Sequence, residues 1–307
     1  MLAAGLIFQS VLAWLVVGLA GFYPVNGRRA LLVLLAGIIL LLLGVSLGGY
    51  WVYPPAISLF VPWALLVFLI FRRLRALPRS SARPGFFTVA LSVLLGSLGA
   101  MLLWQVGQGR SAPDTNFVEL VSPFERDAGF CVVSGGNSLL LNLHFLLASD
   151  PTSQGEVHAL DFIRLNQWGL RTDVLGAMHP QPKQVDHYEV YDQPVYAACT
   201  GTIESVVNDK PDHIAGHGAR RRDGANMVVM QCNSAEVAMV HFAKGSIGVS
   251  AGDAVQAGDF LGRVGNSGNT EEPHLHLHAQ SVSEESGVAI PLPIRIDGRY
   301  LARDDCV

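Results

Sequence analysis

The sequence predicts four transmembrane α-helices followed by an all-β soluble domain. Two observations carry this. Charge divides the 307-residue chain: residues 1–110 hold eight Arg but no Lys, Asp or Glu. The other 197 residues hold all 25 acidic residues and the remaining 13 basic ones, a net charge of −12, with all ten His and all four Cys. The hydrophobic pattern changes at the same place, from long uncharged apolar runs to short runs separated by Gly, Asn and Asp turns. The boundaries are a helical domain at 1–106, a linker at 107–125 and a soluble domain at 126–307.

A helix needs about 20 apolar residues to cross a bilayer. Four runs qualify: 2–23, 30–50, 56–71 (after Pro54-Pro55) and 86–106, none with a charge. The first lacks a basic lead and three more follow it, which favours a retained helix over a cleaved signal peptide. Arg28 and Arg29 lie between the first two runs, and Arg72, Arg73, Arg75, Arg79 and Arg83 between the last two. The intervening stretch, 48–55, has no charge. The excess of Arg puts both basic loops in the cytoplasm, and the termini and soluble domain outside. Arg110 alone counts against this. Tyr50, Trp51, Tyr53 and Trp104 are expected as anchors at the outer interface. No ionisable group lies inside a run, so the helices read as an anchor in the lipid bilayer rather than an ion path.

In the soluble part, strands are expected at 130–133, 138–145, 157–165 and 193–207, and a hairpin at 227–232 and 237–242. Its acidity argues against nucleic acid as a partner, since phosphate contacts need Lys and Arg. Cys131, Cys199, Cys232 and Cys306 contain no C-x-x-C, so a Cys-based zinc site is not expected. Outside the cytoplasm one or two disulfides are one reading and free buried cysteines the other, and the pairing stays open. The Arg220-Arg221-Arg222 run reads as a solvated loop.

The most informative stretch is 265–278, G-N-S-G-N-T-E-E-P-H-L-H-L-H. Alternate residues of a strand share a face. His274, His276 and His278 therefore line one side, and Leu275 and Leu277 the other. Imidazole is the commonest metal ligand and a common general base. His278, in register with them, reads either as a hydrogen-bonding partner behind the metal ligands or as a surface residue; His179, His187, His213 and His217 are expected at the surface. Glu271 and Glu272 are expected as rim charges.

From about residue 124 to 293 the chain resembles the lysostaphin-type zinc metallopeptidases, which cut the peptide part of bacterial cell walls. Four stretches carry the resemblance: Asp192-Gln193-Pro194-Val195-Tyr196-Ala197-Ala198 with Gly201; Val240-His241-Phe242; the V-x-x-G-x-x-V-x-x-G-x-x-L-G pattern over 249–262; and the glycine loop with H-x-H over 265–276. The resemblance implies the family's antiparallel, barrel-sandwich-like β fold and one zinc ion per chain. It implies hydrolysis of peptidoglycan cross-links or stem peptides, with His241 and His274 catalytic and Asp161 and His276 as metal ligands. With the Arg pattern, it implies a multi-pass protein of the bacterial inner membrane with a periplasmic C-terminal domain.

The chain departs from the family's H-x-x-x-D: four residues before Asp161 stands Val157. Three readings stay open for the third ligand: His158, His144, or neither. The departure also leaves a second function in play, a non-catalytic module binding wall hydrolases or division proteins. The V-x-x-G-D-x-V-x-x-G-D segment occurs in biotinyl carriers too, but those need a Lys in a hairpin turn. Lys244, the only Lys after residue 210, precedes the segment.

Overall fold

Uncharged apolar runs can satisfy their backbone in lipid only as helices, and helices are what they form. The computed structural model describes residues 2–51, 56–79, 83–179, 181–216, 224–283 and 287–307. Pro54-Pro55, Tyr53, His217 and the Arg220-Arg221-Arg222 run lie outside them. The chain forms two compact units, Met1–Gln108 and Gly109–Val307.

The first unit has α1 (Leu2–Phe22), α2 (Arg28–Gly48), α3 (Phe60–Ala76) and α4 (Phe86–Arg110). Among the described residues, only α2 and α4 are long and apolar enough to cross a membrane. The third run is a 17-residue helix that already contains Arg72, Arg73 and Arg75, so two candidate spans stand and the expected four are not confirmed. Small residues let α2 and α4 approach closely: a Cβ on Gly37 would strike the Ser92 backbone, and one on Gly99 the Leu40 backbone. The Ser92 hydroxyl donates to the Val33 carbonyl at 2.5 Å. Arg73 donates to the Ala20 and Tyr23 carbonyls at 3.0 and 2.8 Å, satisfying the open end of α1. Of the three expected anchors among the described residues, Tyr50 and Trp51 are buried and Trp104 is exposed. Tyr50 and Trp51 are therefore packing residues rather than interfacial anchors.

The second unit is all-β. Its strands are β1 (Val118–Leu120), β2 (Phe130–Ser134), β3 (Leu160–Arg164), β4 (Pro194–Tyr196), β5 (Gly201–Val207), β6 (Met227–Cys232), β7 (Ala235–Val240), β8 (Ala254–Val255), β9 (Phe260–Arg263), β10 (Leu275–Val282), β11 (Ala289–Leu292), β12 (Ile294–Ile296) and β13 (Arg299–Tyr300). Eight of them form an antiparallel sheet in the order β2-β3-β10-β7-β6-β5-β8, with β11 on the far end of β10. Two small sheets, β1-β12-β13 and β4-β9, complete the unit. β1 falls inside the expected linker, because it pairs in parallel with β12.

Two expected strands change. Residues 138–145 are a turn leading into a 3-10 helix, Leu143–Leu147. The strand expected at 157–165 is shortened to β3, and a 3-10 turn, Gln154–Glu156, precedes it. Both 3-10 segments lie on the histidine side of β10. The core is on the other side, where Leu275, Leu277 and Ala279 meet Phe162, Val228, Met230, Val237 and Met239.

Disulfides join Cys131 to Cys306 and Cys199 to Cys232. The C-terminal tail lies along the outer side of β2: Val132 donates to Asp305, Asp304 to Val132 and Val307 to Phe130, all at 2.9 Å.

Candidate metal centre and catalytic cleft

The register of three strands builds the centre. His276 on β10 stands opposite Asp161 on β3 and Val240 on β7. His241 directly follows β7, so strand pairing brings His241, His276 and Asp161 to one end of the sheet. His144 comes from the 3-10 helix above it.

Three donors converge. Ligand atoms of His144, Asp161 and His276 all lie within 4.8 Å of one another. His276 Nδ1 is 3.0 Å from Asp161 Oδ1, and His144 Nε2 is 3.4 Å from Asp161 Oδ2. Donors around a tetrahedral zinc with bonds near 2.0–2.1 Å are about 3.3 Å apart. Two imidazoles and one carboxylate suit a catalytic zinc, with a fourth position left for water. The residues therefore fit the ion the resemblance implies.

Asn142 orients His144. It is fully buried, and its amide nitrogen donates to the Gly136, Val157 and Ala159 carbonyls at 3.1–3.3 Å. That fixes its oxygen toward His144, where it meets the backbone N–H at 3.1 Å and ring Nδ1 at 2.9 Å. An amide oxygen only accepts, so Nδ1 carries the proton and Nε2 is bare toward Asp161. His158 does not join the group. Its ring packs edge-on to Phe145, 5.7 Å between centroids, and its buried Nδ1 has no hydrogen-bond partner among the described residues. Residue 158 precedes β3, so no strand alternation or bulge turns it inward.

Two further imidazoles face the same cleft. His241 Nδ1 donates to the Ser267 carbonyl and His274 Nδ1 to the Glu272 carbonyl, each at 2.7 Å. Carbonyls only accept, so both rings present a bare Nε2. Their centroids are 4.7 Å apart, and His274 Nε2 is 3.6 Å from Asp161 Oδ1. His241 holds φ at +73°, a left-handed backbone uncommon outside Gly. Its N–H bond to Asn226 at 2.9 Å helps hold that turn. The glycine loop needs its glycines: a Cβ on Gly265 would meet the Ala243 backbone, and Gly268 sits at φ +83° against Ala225.

The cleft encloses about 500 Å³ and is lined by His144, Asp161, His241, His274, His276 and Glu156, among others. Burial would push the Asp161 carboxyl up, but His144, His274 and His276 outweigh it and hold it well below the usual range. Burial lowers His144 to about 4 and His241 well below the ordinary imidazole value, keeping both neutral. Burial also lowers His276, but Asp161 and Glu156 together raise it above that value. Burial raises Glu156.

Several residues do not sit as expected. Glu272 is no rim charge: it is buried in a two-pronged ion pair with Arg171 at 3.1 and 3.3 Å, which steadies the carbonyl that His274 uses. His278 is buried, with Nδ1 3.0 Å from His276 Nε2, and burial lowers it to about 3. Asn142, Ser267 and Glu156 were not singled out from sequence. Only Asn142, two residues before a His, left a trace there.

Residues 183–287 match Peptidase family M23. No curated protein matches the chain. Similar solved structures include the antimicrobial peptidase lysostaphin from Staphylococcus simulans, at 21% identity over 43% of this chain and 40% of that one, TM-score 0.27. A zinc containing peptidase from Vibrio cholerae is 16% identical over 61% of this chain and 39% of that one, TM-score 0.31. A SpoIIQ–SpoIIIAH pore forming complex is 12% identical over 57% of this chain and 89% of that one, TM-score 0.32. The chain thus spans about two fifths of the length of the first two, and likenesses at this level say nothing about activity. The family match contains His241, His274 and His276 and stops short of His144 and Asp161, which the fold brings to the same point. The segment that carries those three histidines, residues 183–287, is thus similar to peptidase family M23.

Proposed function

We propose that the protein is a membrane-tethered zinc endopeptidase that hydrolyses peptide bonds of bacterial peptidoglycan. His144, Asp161 and His276 would hold the metal, and His241 and His274 would carry the protons. The observation that supports this most is the convergence of three donor atoms beneath two imidazoles whose Nε2 atoms face one cleft. The soluble unit would lie outside the cytoplasm, at the inner membrane.

A zinc ion held there would polarise the scissile carbonyl and bring the pKa of water near 7. The rest is done by the chain. His241 is neutral and bare at Nε2, so it can take the proton from the attacking water. His274 shares the cleft with a bare Nε2 of its own; protonated there as well, it would stabilise the developing oxyanion and give that proton to the leaving amine, while His241 keeps the one taken from water. The Ser267 and Glu272 carbonyls hold the Nδ1–H of each ring and so turn both Nε2 atoms into the cleft.

The test uses the full chain purified in detergent. About one zinc per chain is expected, lost in His276→Ala and Asp161→Ala. His241→Ala should keep the zinc and slow release of new amino groups from peptidoglycan by about 10²- to 10⁴-fold. The second reading, a non-catalytic module, draws on Val157 at the family's histidine position. Absence of zinc near neutral pH, or zinc without hydrolysis, would favour it.

A further inference from the structure

Period two places His278 one step beyond His276 on the same face of β10. With that face open to solvent, His278 would be a surface residue. It is instead 8% exposed, because the 3-10 segments of residues 143–147 and 154–156 lie over the histidine side.

Burial gives this ring a specific neighbour. His276 turns Nδ1 toward Asp161 at 3.0 Å and Nε2 toward His278 Nδ1 at 3.0 Å. If Nδ1 of His276 gives its lone pair to a cation, the ring proton must sit on Nε2 and needs an acceptor. Glu156 Oε2, at 3.9 Å, is beyond hydrogen-bond distance. His278 Nδ1 is within it. His278 must then be bare at Nδ1, with its own proton on Nε2.

We propose that His278 is a positioning residue: by accepting the Nε2 proton of His276 it fixes that ring's tautomer and aims Nδ1 at the metal position. The assignment rests on the zinc reading of the cleft. It pairs with the bond from His144 Nδ1 to Asn142, so each imidazole ligand is held by its non-ligating nitrogen.

The test compares full-length wild type, His278→Leu and His278→Gln in detergent. His278→Leu should weaken zinc binding by about 10- to 100-fold in chelator competition. His278→Gln, which restores an acceptor oxygen, should stay close to wild type. Thermal midpoints of the metal-free proteins report any folding defect separately. Nitrogen-15 histidine spectra of the wild type need no variant, and should show a protonated His276 Nε2 and a bare His278 Nδ1. A proton on His278 Nδ1, or equal zinc affinity in wild type and His278→Leu, overturns the assignment alone. A wild type that takes up no zinc overturns the zinc reading and this assignment together.

Discussion

Single side chains decide whether the cleft can hold an ion. Asn142 satisfies three carbonyls while keeping its oxygen on His144. Asn142→Ala should cost about 1–3 kcal/mol in urea unfolding, because those groups lose their buried partner. It should also weaken zinc binding, since the His144 ring is released. Acid acts on the neighbouring histidines with a definite sign. His144 and His278 have folded values of about 4 and 3 against an ordinary 6.5, and His241 is also depressed. As pH falls below 6.5 the unfolded chain takes up protons that the folded chain refuses, so stability is lost toward pH 4. His276, raised by Asp161 and Glu156 after burial is offset, works in the opposite sense, but it is one group against three. The urea midpoint of the metal-free protein should therefore fall between pH 7 and pH 4.5. A flat or rising midpoint would contradict the burial of these rings.

The element that organises the cleft is β10 with its preceding glycine loop. Gly268→Ala would force a side chain into a left-handed backbone against Ala225 and shift the Ser267 carbonyl that holds His241. Under the proposed function, hydrolysis of peptidoglycan should drop more than zinc affinity does, because the metal donors lie outside the loop, His276 on β10 and the other two on separate segments. The strand itself was legible: period two put His274 and His276 on one face, and the Leu residues opposite them are in the core. What covers that face was not. Residues 138–145 alternate like a strand, yet Asn142 turns them into a 3-10 helix by taking the His144 N–H. That local capping bond overrode the pattern, and with it went the placement of His144, the burial of His278 and the choice over His158. Tertiary contacts from residues more than 100 positions away, such as Arg171 with Glu272, leave no local periodicity to read.

At the scale of the whole chain, eight Arg and no acid precede residue 111. The proposed topology predicts that alkaline phosphatase fused after Val307 is active and that a cytoplasm-only reporter is silent there; the reverse would refute the Arg-based orientation. The disulfides agree with that placement, since bridges persist outside the reducing cytoplasm. The link from Cys131 to Cys306 spans 175 residues of sequence and holds the tail against β2, an end strand of the main sheet. Unpaired strand edges recruit other chains. The last few residues thus act as a covalent hem on the fabric of the sheet, and its unpicking by a reductant would leave a seam open to strand-by-strand self-association.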